Sequence, residues 1–150
     1  MARDHFVRFD ASRVPSPCYV VDEAALEDNL RLLAQVQAES GARVLLALKA
    51  FSMFALAPLV RRYLSGTCAS GLYEARLGRE EFGGEVHTFC AAWRDADFDA
   101  TLAVSDHLVF NSVRQWHHFR DRCLAERERR PELRFGLRIN PRHSARATPL

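Results

Sequence analysis

Residue 49 is the one lysine in the chain; the other 20 of its 21 basic residues are arginine. A GC-rich coding bias would make lysine scarce, but it does not explain where the survivor sits. Lys49 ends the run Arg43-Val44-Leu45-Leu46-Ala47-Leu48-Lys49. That run is mostly apolar without alternation, the pattern of a strand covered on both faces. Side chains alternate along a strand, so Lys49 shares a face with Ala47, Leu45 and Arg43, while Leu48, Leu46 and Val44 face the other way. Helices packed on the Leu48 side would leave Lys49 pointing inward at the C-terminal end of a parallel strand, where α/β barrels place their chemistry. A desolvated lysine has a lowered pKa, and its free amine is a nucleophile toward carbonyls. Arginine cannot substitute, because guanidinium stays protonated and forms no stable imine. The competing reading is a lysine snorkelling at a strand end or paired with a carboxylate, and position alone does not separate the two.

A second strand pattern ends the same way. Arg134, Gly136 and Arg138 alternate with Phe135, Leu137 and Ile139. Arg138 would then project inward near the strand's C-terminal end, with Gly136 leaving space beside it. An inward guanidinium needs an anion, either a protein carboxylate or an anionic ligand. Cys68-Ala69-Ser70-Gly71 puts small polar groups at another strand end, with Glu74 one turn into the next helix. On its own this reads as a helix cap. Asn111 and Ser112 read as a cap too. His87 and Cys90 fall on opposite faces of one strand, and His117-His118 are adjacent on a helix, so neither pair suggests a metal site. Arg127, Arg129 and Arg130 suit the C-terminal dipole of their helix.

These side chains must be carried by an alternating series of elements. Cys18 to Val21 is a short β-like run after Pro15-Ser16-Pro17. Asp22 can cap a helix bearing the stripe Leu26, Leu30, Leu33 and Val36, which Gly41 ends. Pro58 suits a first helical turn, continued by Leu59, Val60, Tyr63 and Leu64. A strand over Thr67–Ser70, a helix to about Phe82, a Gly83-Gly84 turn and a strand from Val86 to Ala91 follow. Next come a helix over 95–104 and a strand over 108–110. Ser112 and Gln115 form a capping-box pattern opening a helix that runs to about Arg130. Arg134 to Asn140 is the last strand, and 141–150 is irregular. Strands alternating with helices imply right-handed βαβ units and a parallel sheet. A doubly wound sheet and a (β/α)8 barrel both fit, although no GxGxxG or Walker loop follows any strand. Five strands cannot close a barrel, so the chain reads as the N-terminal piece of something longer, with strand edges prone to association.

Composition narrows the classes. Apolar residues at 48% and charged residues at 27% argue for a globular domain over disorder. A net charge of +2 directs no strong field at nucleic acid or a membrane surface. The four cysteines contain no CxxC pair, and the start MARDHFVRFD lacks an apolar core. No metal site, nucleic-acid partner or membrane span is expected, and a soluble, cytoplasmic protein is.

The order of PSPCYVVDEAALEDNL, LLALKAFS, GTCASGLYEARLGREEFGGEVH, DHLVFNS and FGLRINP resembles the alanine-racemase-like (fold type III) pyridoxal-phosphate-dependent decarboxylases. Within them, the carboxynorspermidine (carboxyspermidine) decarboxylase family is the nearest likeness. The resemblance runs from about Val14 to Leu150. It implies an α/β fold, the N-terminal part of a PLP-binding (β/α)8 TIM-type barrel, with a C-terminal β domain missing. Residues 1–21 would be a strand segment belonging to that β domain, and 22–150 the first part of the barrel. Lys49 matches the lysine that holds pyridoxal 5'-phosphate as an internal aldimine. Arg138 matches an arginine beside the cofactor's phenolic oxygen, and Glu74 and Ser70 match residues around the pocket. The implied activity is decarboxylation of carboxynorspermidine or carboxyspermidine to norspermidine or spermidine, by a homodimer in the full-length protein. Phosphate-binding loops and the partner of the pyridine nitrogen lie outside residues 1–150, so this stretch alone is expected to be inactive. Alternatives are a diaminopimelate or ornithine-type decarboxylase, an amino-acid racemase, a non-enzymatic PLP carrier, or a structural α/β domain with an incidental lysine.

Overall fold

The computed structural model describes residues 9–143. Five helices and five strands alternate: α1 (Glu23–Ser40), β1 (Leu45–Ala47), α2 (Ala57–Val60), β2 (Gly66–Ala69), α3 (Leu72–Leu77), β3 (Glu85–Phe89), α4 (Asp95–Val104), β4 (His107–Phe110), α5 (Val113–Arg129) and β5 (Arg134–Leu137). All neighbouring strands pair in parallel, in the order β1-β2-β3-β4-β5. Each crossover steps to the next strand in the same direction, so right-handed connections put every helix on one face. A doubly wound sheet needs a reversal of strand order, and this sheet has none. It is an arc of a singly wound barrel.

Local chemistry sets the element ends. The Asp22 carboxylate accepts the Ala25 N–H at 3.0 Å to start α1. Gly41 ends it in the left-handed region at φ 71°, its N–H donating to the Gln37 carbonyl. Gln37 also joins this helix to the sheet. Its amide donates to Tyr63 O at 2.8 Å and accepts from Val44 N at 2.7 Å and Ser65 Oγ at 2.8 Å. Gly66 is needed where β2 meets β3, since a Cβ there would lie 2.0 Å from the Glu85 carbonyl oxygen.

The core is a layer between the sheet and its helices. Leu48, Leu30, Leu59, Val60 and Phe82 fill the half beneath α1 and α2. Phe98, Leu102, Leu108, Phe110, Phe119 and Leu133 fill the half beneath α4 and α5. Phe98 and Phe119 stack with centroids 4.0 Å apart. Along β3 and β4 the buried residues alternate with half-buried ones, so the second face of the arc carries no helix.

Several expectations need correction. Cys18–Val21 is not a strand; Tyr19 is 94% exposed, and nothing among the described residues pairs with this run. A β-like sequence becomes a strand only with a neighbour to receive its hydrogen bonds. The α1 stripe is half buried. Leu30 enters the core with Leu26 against it, but Leu33 and Val36 lie beyond the reach of α2 and stay exposed. The helix beginning at Leu72 passes into a π-turn over Gly78–Phe82. The last strand stops at Leu137, although the Arg138 N–H still donates to Phe110 O at 2.8 Å. The capping box is half formed: Ser112 Oγ accepts the Gln115 N–H, but the Gln115 amide is engaged elsewhere. Residues 1–8 of the proposed strand segment and 144–150 of the irregular tail lie outside the described residues.

Candidate active site

The register fixes what lines the helix-free face. Residues paired across parallel strands project to the same side, so Ala47, Cys68, His87, His107 and Arg134 form one row across it. Phe89, Val109 and Gly136 form the row nearer the C-terminal ends. Lys49 stands just beyond β1 on this side, in the turn closed by Ala50 N and Phe51 N donating to Ala47 O. Its neighbour Leu48 faces the helices and is 2% exposed. Alternation would carry the Lys49 side chain to this side too, from its place in the turn after β1, and the Arg138 side chain reaches this face at the Phe89 ring.

Lys49 is exposed, which departs from the desolvated lysine expected from the sequence. The reason is geometric: five strands leave the concave face open, so water reaches the amine. Burial pushes the Cys68 thiol pKa up while the Lys49 ammonium pulls it partly back, so the two groups sense each other across β1 and β2. Among the described residues, no carboxylate forms an ion pair with Lys49. Arg138 is likewise without a carboxylate. Its guanidinium carbon lies 5.5 Å from the centre of the Phe89 ring, and Nη1 donates to Asn111 Oδ1 at 3.4 Å.

Ser70 and Glu74 sit at the C-terminal end of β2, on the same rim. The Glu74 carboxylate accepts the Ser70 backbone N–H at 2.8 Å, so it fixes the turn into α3, and the Ser70 side chain is exposed. Gly136 makes room for a different neighbour than expected. A Cβ there would meet His107 Nε2 at 3.2 Å and Val109 Cγ2 at 3.4 Å, not Arg138. Sequence reasoning missed Phe89, though alternation from Glu85 would have placed it on the inner face. It read Gln115 only as half of a capping box, whereas in the fold Oε1 accepts the Asn111 N–H at 2.8 Å and Nε2 donates to Ala91 O at 2.7 Å.

The cleft richest in ionisable groups is elsewhere. A cavity of about 460 Å³ lined by Arg43, Arg79, Glu85, His87, His107 and Arg134, among others, opens at the N-terminal ends of the strands. Its charges are largely spent on each other, through the ion pairs Arg43–Glu85 and Arg79–Asp106, and His87 Nε2 lies 3.1 Å from Glu85 Oε2. That end of a barrel serves stability, whereas reacting groups sit at the other end. No cluster of three or more His, Cys, Asp or Glu able to hold a metal occurs among the described residues. No described helix is long and apolar enough to cross a membrane.

Fold and rim together define an α/β protein: part of a TIM-type barrel whose C-terminal rim presents a lone lysine and an arginine, neither ion-paired to a carboxylate among the described residues. No family model matches the chain. Its homologues are carboxynorspermidine/carboxyspermidine decarboxylases and a related decarboxylase. Carboxyaminopropylagmatine decarboxylase of Synechocystis sp. is 41% identical over 139 residues, 93% of this chain and 35% of that protein. Carboxynorspermidine/carboxyspermidine decarboxylase of Herminiimonas arsenicoxydans is 39% identical over 128 residues, 85% of this chain and 33% of that protein. The solved structure of carboxynorspermidine decarboxylase from Campylobacter jejuni, complexed with norspermidine, superposes with a TM-score of 0.79 at 36% identity. It matches 90% of this chain and 35% of its own. The chain thus spans about a third of the length of these relatives.

Proposed function

We propose that these residues form the first part of a pyridoxal-phosphate-dependent decarboxylase acting on a carboxylated polyamine, carboxynorspermidine or carboxyspermidine, in polyamine biosynthesis. The observation that carries this reading is the pair of uncompensated cations, Lys49 and Arg138, on one rim of one concave face. A reactive amine and a guanidinium with no internal carboxylate suit an aldehyde that is also an anion. The donor set therefore fits the cofactor. The edges at β1 and β5, which pair with no further strand among the described residues, and the relatives' greater length support a longer polypeptide whose further strands close the barrel. A β domain that takes up residues 1–21 belongs to the same reading, as do a homodimer and a cytoplasmic location.

In this mechanism each residue has a defined task. Lys49 Nζ would hold the cofactor covalently, and the same nitrogen, when free, could hold a proton. Arg138 would offer positive charge to an anionic group of the cofactor, and Ser70 and Glu74 would shape the β2 rim of its pocket. Pyridoxal phosphate, when bound, supplies an electron-accepting ring that stabilises the charge left on the α-carbon as CO2 departs.

The relatives' names favour a decarboxylase over a racemase or a PLP carrier. They also widen the substrate class, since one relative's name specifies carboxyaminopropylagmatine. The test is a side-by-side CO2-release assay of the full-length protein on carboxynorspermidine, carboxyspermidine, carboxyaminopropylagmatine and diaminopimelate. Turnover of a carboxylated polyamine well above diaminopimelate supports the proposal. Preference for diaminopimelate overturns it.

A further inference from the structure

Arg138 is held by two groups that fix its direction without cancelling its charge. Its backbone is set by the hydrogen bond from its N–H to Phe110 O at 2.8 Å, and its side chain reaches back across the sheet to the Phe89 ring. Glu85, His87 and Phe89 alternate onto the concave face, so the ring belongs to the inner row. The intervening members of that row, Val109 and Gly136, are small, which leaves the guanidinium a path to Phe89. Its Nη1 also donates to Asn111 Oδ1, a neutral acceptor, at 3.4 Å. Asn111 is itself fixed by Gln115, which also holds the loop after β3 through Ala91 O. An Asp or Glu in place of either group would neutralise the guanidinium. An aromatic face and an amide orient it and leave its charge available to a ligand.

We propose that Phe89 is a positioning residue, assisted by Asn111, that aims the Arg138 guanidinium at the anionic side of the cofactor anchored on Lys49. This inference rests on the reading of the site as a pyridoxal-phosphate pocket. Its test titrates the full-length apoprotein with pyridoxal phosphate, following cofactor absorbance and its pH dependence, for the wild type, Phe89→Leu, Phe89→Tyr and Asn111→Asp. Phe89→Leu keeps an apolar side chain but loses the ring face, and should weaken cofactor binding about tenfold. Phe89→Tyr should return it to within about twofold of the wild type. Asn111→Asp should shift the pH midpoint of the bound-cofactor absorbance upward, because a carboxylate beside Arg138 removes positive charge from the site. Wild-type affinity in Phe89→Leu, or no rescue in Phe89→Tyr, overturns the inference. Borohydride trapping on the same samples separates the two failures. If wild-type Lys49 takes up no cofactor, the pocket reading itself has failed. If Lys49 is labelled while Phe89→Leu binds as the wild type does, only the role of Phe89 has.

Discussion

Glu74 accepts the backbone N–H of Ser70 at 2.8 Å, so the carboxylate one turn into α3 is tied to the turn that precedes it. The bond needs the Ser70 backbone and not its hydroxyl, and this divides the roles of the two residues. Glu74→Ala should lower the stability of the cofactor-free protein by about 1 kcal/mol, the value of one such bond. Ser70→Ala should leave that stability unchanged and weaken pyridoxal-phosphate binding severalfold, because its exposed hydroxyl is free to meet a ligand at the rim of the proposed pocket. Urea melts and cofactor titration read the two effects separately. A Ser70→Ala protein that binds the cofactor as the wild type does would remove Ser70 from the site.

Arg130 supports the fold at a place the sequence reading assigned to a helix dipole. Its guanidinium donates to Leu102 O at 3.1 Å, Ala103 O at 3.0 Å and Ser105 O at 2.8 Å, and meets Asp106 Oδ1 at 3.3 Å. It thereby caps the carbonyls at the end of α4, a neighbouring helix, and locks the turn into β4. Removing it strands several acceptors at once, so Arg130→Ala should cost about 2 kcal/mol or more. Arg129, which is 80% exposed, is the control, and its alanine variant should stay within about 0.5 kcal/mol of the wild type. Equal denaturation midpoints for the two variants would contradict this assignment.

The barrel floor should make stability depend on pH. Burial pushes the His107 imidazole pKa below its usual 6.5; the charges of His87 and Arg134 act in the same direction and Glu85 opposes them. Below about pH 6.5 the unfolded chain therefore takes up this proton more readily than the folded one. Stability from this group is complete above that pH and is lost as pH falls toward the depressed folded value. Urea midpoints between pH 7.5 and 5.5 should decline in the wild type and decline less in His107→Gln. Parallel slopes would show that His107 is not the group responsible.

Legibility in the sequence follows the range of the interaction involved. Asp22, Gly41 and Ser112 were readable as caps because their partners lie within four residues. The facing of Arg138 toward Phe89 was readable because strand alternation is local too, whereas Lys49 lies in the turn past β1, where alternation no longer sets direction. Cys18–Val21 was misread because a strand is defined by its neighbour. The exposure of Lys49 depends on what covers the concave face, a property of the closed barrel rather than of one strand. Gln115 and Arg130 bond to groups 24 to 28 residues away, and only the folded sheet brings those together. The sequential strand order, which excludes the doubly wound alternative, is likewise visible only in the structure.

The central claim is that Lys49 anchors the cofactor. The most direct test incubates the full-length protein with pyridoxal phosphate, reduces it with borohydride and maps the peptides by mass spectrometry. The expected result is a stable pyridoxyl adduct on Lys49. A folded Lys49→Arg variant should acquire none, since guanidinium preserves the charge but forms no stable imine. Folded wild-type protein with Lys49 unmodified would show that this lysine does not anchor the cofactor.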